Sequence, residues 1–78
     1  MATYVMTHTS TRKGAEPARA DIPIEAASDP GAIAHVRAEV GRIRRNGPCN
    51  VEHNIRLLDS ARERALFTAN FRGMAPAL

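Results

Sequence analysis

Apolar residues in this chain recur with two different periods, and the change between them divides it into elements. Over residues 3–9, Tyr4, Met6 and His8 point one way and Thr3, Val5 and Thr7 the other. That period of two predicts a strand with one apolar face. Ser10, Thr11, Gly14 and Pro17, set among charges, mark residues 10–19 as an exposed loop or a loose hairpin connection. Ile22 and Ile24 then lie two apart, split by Pro23. Because proline cannot donate to a ladder, residues 20–26 read as a short strand at a sheet edge.

The period next changes to that of a helix. Ile33, Val36, Val40 and Ile43 follow at spacings of three and four, which makes a single apolar stripe. Asp29 is placed to cap the start, and Pro30 falls where the first helical residue tolerates a missing N–H. Arg42, Arg44 and Arg45 crowd the last turn, where cations suit the negative end of the dipole. Asn46-Gly47-Pro48 then stops the helix, with Gly47 able to take a left-handed conformation. The predicted helix covers residues 29–46.

Residues 50–72 fit both periods. As a helix, Val51, Ile55, Leu58, Ala61, Ala65 and Ala69 form a stripe but leave Leu57, Phe67 and Phe71 on the polar side. As two strands, Val51, Ile55 and Leu57 alternate with polar residues. After a polar turn over residues 59–64, Ala65, Phe67, Ala69 and Phe71 then share a face. The chain holds only Tyr4, Phe67 and Phe71 as aromatics, so the reading that buries two of them is preferred. Against it, the turn lacks the glycine that a tight hairpin favours. The expectation is an α+β fold of order ββαββ: a small antiparallel sheet with one helix on one face. It forms a single domain over residues 1–78, with 72–78 as a flexible tail.

Composition narrows the function. A chain of 78 residues buries only about 60% of its unfolded surface, so a deep cleft is hard to build in one copy, and self-association or a partner would add stability. The formal charge is +3, and ten of the eleven basic residues are arginine. A GC-rich genome gives that bias, and so does a surface for phosphate or carboxylate partners, which a planar guanidinium suits. The lone Cys49 excludes an internal disulfide framework. No apolar run is long enough to span a membrane, and the start does not read as a secretion leader. The expected setting is cytoplasmic.

Little in the sequence suggests catalysis. Cys49 and His53, four apart, would share a face on a helix as a thiolate and its base or as two ligands, but no second ligand pair accompanies them. His35 falls on the polar helix face and His8 near a strand end, both read as solvated. Glu39, Glu52, Asp59 and Glu63 show no acid–base spacing, and Asp59 and Glu63 read as partners of Arg56, Arg62 or Arg64. The five glycines are dispersed, so no phosphate-cradling loop is present. The expectation is a non-enzymatic protein without cofactor or metal. Two surfaces are candidates for a partner. One is the arginine group Arg37, Arg42, Arg44 and Arg45. The other is the sheet face away from the helix, carrying Val5, Leu58, Leu66 and Thr68, which suits a homodimer or another protein.

The layout of strands, then Ser28-Asp29-Pro30-Gly31-Ala32 opening a helix, then Asn46-Gly47-Pro48 and Asn50-Val51 leading to a strand pair is similar to that of small type I-F anti-CRISPR proteins of phages. The resemblance covers about 50 residues by element order. It implies a non-enzymatic inhibitor that binds a CRISPR effector complex. Many members imitate DNA by being acidic. This chain is basic, so it would instead grip a protein or guide-RNA surface with arginines. Read the other way, the chain resembles ribbon-helix-helix DNA-binding proteins, with Ala20–Ala26 as ribbon, residues 29–46 as first helix and a second helix capped by Asn50. That implies a basic nucleic-acid-binding regulator. The ribbon, however, contains Pro23 and no base-reading Arg, Lys, Asn or Gln. The conformation of residues 51–72 separates the two readings.

Overall fold

A computed structural model describes residues 2–59 and 64–76. In chain order it has β1 (Ala2–Arg12), β2 (Ala18–Ala26), α1 (Asp29–Asn46), β3 (Val51–Asp59) and β4 (Arg64–Arg72). The expected ββαββ order and α+β class are those observed. Residues 51–59 and 64–72 are strands, so the second helix of a ribbon-helix-helix arrangement is not formed. The turn expected over residues 59–64 lies, between its ends, outside the described residues.

The strands are longer than the sequence pattern alone suggests. Ser10, Thr11 and Arg12, expected in a loop, extend β1 because they face His53, Glu52 and Val51 in the ladder with β3. Ala18 likewise pairs with Ser10 and brings β2 to nine residues rather than a short strand. Gly14, at φ 84, turns the chain between them, a conformation glycine adopts without penalty.

All neighbours in the sheet are antiparallel, in the order β2-β1-β3-β4. The first strand therefore lies in the interior. Helix α1 carries the chain from β2 across β1 to β3, a split β-α-β connection.

Both ends of α1 depart from the expected caps. Ser28, not Asp29, is the N-cap: its Oγ accepts from the Gly31 N–H at 3.3 Å. Asp29 becomes the first helical residue, and its carboxylate joins helix to sheet. The Tyr4 hydroxyl donates to Oδ1 at 2.7 Å, and Arg64 lies 3.5 Å from Oδ2. At the other end Gly47 is extended, at φ −80 and ψ 146, not left-handed. Glycine is needed there for space. A Cβ would lie 2.8 Å from the Ile43 carbonyl and 3.3 Å from His53 Nε2. Gly73 is tighter still, since its Cβ would fall on the Gly47 carbonyl.

That close approach ties down residues 73–75 of the stretch expected as a tail, whose residues 77–78 lie outside the described ones. The Met74 N–H donates to Arg44 O at 2.7 Å and the Ala75 N–H to Gly47 O at 2.9 Å, while Cys49 N–H donates to Ala75 O at 2.8 Å. The last carbonyls of a helix lack intrahelical donors, and residues 74–75 supply two of them.

The core lies between α1 and one sheet face. Tyr4, Met6, Ile24, Ile55 and Leu57 meet Ala32 and Val36, all nearly inaccessible. Ile33, Val40 and Ile43 flank this centre only half-buried. The expected stripe is therefore correct in direction, but only Val36 of it is fully buried, together with Ala32 beside it. In β4, Phe67, Ala69 and Phe71 share a face as expected, and they lie opposite Leu57, Ile55 and His53. The register then shifts, so that Ala65 faces Leu58 and Leu66 is the extra residue of a bulge. This corrects two expectations. Ala65 leaves the face of Phe67, and Leu66 packs against the core instead of on the far face.

Candidate interaction surface

The arginines singled out on α1 do not form one patch. At about 3.6 residues per turn, Arg37 and Arg44 share one flank of the helix, Arg42 the opposite flank, and Arg45 the outer side. Arg37 stands over the Phe67 ring, its Cζ 5.8 Å from the centroid, a cation–π distance. Arg42 pairs with Glu39 at 2.7 Å. That hydrogen bond holds the Glu39 carboxyl below the usual range and raises the guanidinium. Arg44 and Arg45 are exposed, and Arg44 has no ion pair among the described residues.

The one cluster of titratable rings was not apparent from the sequence. His8 Nε2 lies 2.8 Å from His53 Nδ1, across 45 residues of chain. His53 also stacks on Phe71, with centroids 5.2 Å apart. Its Nε2 is buried toward Gly47 without a hydrogen-bond partner. Burial lowers the pKa of both imidazoles, helped at His8 by Arg42 and at His53 by His8. Both shifts favour the neutral rings, and the 2.8 Å contact then needs one ring to donate and the other to accept, as their tautomers set. His8, expected to be solvated, is thus half-buried and bonded. His35 is exposed, as expected. Cys49 is exposed before β3 while His53 points inward, so the two do not make a shared site. Among the described residues no three His, Cys, Asp or Glu side chains are grouped to hold a metal.

The face of the sheet away from α1 carries no covering layer among the described residues. Val5 and Leu58 face each other at its middle, both half-buried. Thr3, Thr7, Thr9 and Thr11 continue the β1 row. Three arginines (Arg19, Arg56, Arg72) and three carboxylates (Asp21, Glu25, Glu52) lie around it by strand parity, so the face is neutral although the chain is +3. Arg19 pairs with Asp21 at 3.3 Å and Arg72 with Glu52 at 2.6 Å. Asn54 bonds Asn70 across the strands. A hollow of 380 Å³ opens at this end between Thr9, Thr11, Asn54 and Asn70, with the Arg72–Glu52 pair on its rim. It offers hydrogen-bonding groups, and its charges are already matched. Thr68 is exposed beside Arg56 as expected. Of the side chains singled out for partner binding, Leu58 lies on this face and Leu66 does not.

Among the described residues no helix is long and apolar enough to cross a membrane. Comparison of the chain with protein-family models, with curated proteins and with solved structures gives no match.

Proposed function

We propose that this protein is a small non-enzymatic protein-binding module, an inhibitor or adaptor, whose contact surface is the open sheet face around Val5 and Leu58. The observation that carries the reading is the neutrality of that face around an apolar centre. Nucleic-acid binding depends on cations free to neutralise phosphates. Here Arg19 and Arg72 are matched by Asp21 and Glu52. A neutral, Thr- and Asn-rich surface with a half-buried aliphatic pair suits a protein interface, where an apolar core sits inside a polar rim.

The resemblance to type I-F anti-CRISPR proteins supplies the first partner to try, a CRISPR effector complex. Immobilised protein is expected to retain that complex from nuclease-treated lysate of cells with active interference. Leu58→Asp is expected to weaken retention by about tenfold or more, equivalent to about 1.4 kcal/mol, with its circular dichroism unchanged. Retention that disappears with nuclease, or that survives Leu58→Asp, overturns the reading. The former outcome would favour the basic nucleic-acid-binding alternative, acting through the helix arginines.

A further inference from the structure

The two edges of the sheet are unlike. The Gly73 N–H donates to Val51 O at 3.3 Å, which sets the phase of the ladder. Hydrogen-bonded pairs alternate with non-bonded ones, so His53/Phe71, Ile55/Ala69 and Leu57/Phe67 exchange bonds across β3 and β4. The backbone groups of Thr68, Asn70 and Arg72 then turn outward. Carried across β3 and β1 by the same register, the phase turns Arg19, Asp21, Pro23 and Glu25 outward on β2. Pro23 thus removes the donor at the centre of that edge, a device that blocks strand addition. No proline protects β4, and its bulge at Leu66 leaves Phe67–Arg72 regular.

The charges differ as well. Asp21 and Glu25 flank the blocked edge. Above the open edge runs the helix flank with Arg37, over Phe67, and Arg44, whose carbonyl accepts from Met74 just beyond β4. Neither guanidinium has an ion pair among the described residues.

We infer that the outer edge of β4 takes up an extended acidic segment of the partner as a fifth strand. This rests on the protein-binding reading above and says how the partner is gripped. Main-chain bonds to Thr68, Asn70 and Arg72 supply the attachment, and alternate side chains of the added strand select it. Those on the helix side meet Arg37 and Arg44, so carboxylates are favoured there. A second copy of the chain fits worse. Two-fold pairing of β4 with itself sets one Arg37/Arg44 flank against the other, and like charges so placed repel. The edge adjoins the open face, since the Thr68 side chain lies on that face, so one partner can occupy both.

The test uses a blocked, fluorescein-labelled octapeptide of alternating Glu and Val, with a Lys/Val peptide as control. Fluorescence anisotropy at low salt is expected to show saturable binding of the acidic peptide only. Thr68→Pro, which copies the Pro23 device at an outward position, should weaken it by about tenfold or more, and so should Arg37→Glu with Arg44→Glu. The amide signals of Thr68, Asn70 and Arg72 should shift on titration. Absence of saturable binding overturns the inference, as do equal binding by Thr68→Pro, binding of the Lys/Val peptide, or a dimer abolished by Thr68→Pro. Leu58→Asp leaves the edge intact, so it should not affect the peptide. Effector capture lost with Leu58→Asp but kept with Thr68→Pro therefore removes this inference alone. Capture lost to nuclease removes the protein-binding reading itself.

Discussion

At the scale of single residues, the histidine pair has the clearest chemical consequence. His53 is only 8% exposed and packed between Phe71 and Gly47, with His8 on its Nδ1 side and Arg42 the charge acting on His8. Burial disfavours the imidazolium at both rings, with Arg42 adding to the effect at His8 and His8 adding to it at His53. The unfolded chain titrates near the ordinary histidine value of about 6.5, while both folded values lie lower. The unfolded state therefore binds more protons below that pH, and stability falls as pH falls. The contribution is fully present above about pH 6.5 and is lost on acidification through the lowered folded values. Thermal unfolding is expected to shift downward from about pH 7 to about pH 5, and His53→Leu to flatten that part of the profile. A profile equally steep in His53→Leu would assign the acid sensitivity to carboxylates. In the sequence, His8 shares parity with Tyr4 and Met6, and His53 with Ile55 and Leu57. Each was thus visible on an apolar face. Their contact was not, because it depends on a register between strands 45 residues apart.

At the scale of elements, legibility follows locality. The bounds of helix α1, residues 29–46, are legible because its stripe lies within it and its start and stop signals lie directly beside it. Which residue caps it is not legible there, since the carboxylate of Asp29 is claimed by Tyr4 and Arg64 from the sheet. Strand ends were set by partners rather than propensity, so β1 ran on to Arg12. The bulge at Leu66 had no local signature at all. Nor did the tie between residues 73–75 and the end of α1, in which two glycines let backbones meet where no side chain fits. Gly73→Ala is expected to destabilise the protein by about 2 kcal/mol or more, an overpacking cost against backbone that cannot step aside. Urea unfolding measures it. A loss below about 0.5 kcal/mol, ordinary for a neutral surface change, would mean that the segment can detach at little cost.

For the whole molecule, the sequence gives a basic chain but not where the charge lies. That depends on the strand parity that gathers Asp21, Glu25 and Glu52 onto the same face as Arg19, Arg56 and Arg72. The remaining excess is left to the helix, the loops and the sheet ends. The layout also grades local stability. Amide exchange is expected to be slowest in β1 and β3, flanked on both sides. The outward amides of Asp21 and Glu25 on β2, and of Thr68, Asn70 and Arg72 on β4, should exchange many-fold faster than their inward neighbours. Slow exchange at Thr68 would show that its N–H is engaged rather than free at the edge. The interior position of β1 has one more consequence, for synthesis. The β1–β2 hairpin can close as soon as it leaves the ribosome, but the strand that completes β1 follows the entire helix. Until Asp59 has emerged, β1 offers an unsatisfied row of backbone groups, the kind of exposure that promotes misassembly. Joining the two hairpins makes the most distant strand pairing in the fold, so it is expected to come late, and the interval before it closes is when a nascent chain most needs protection.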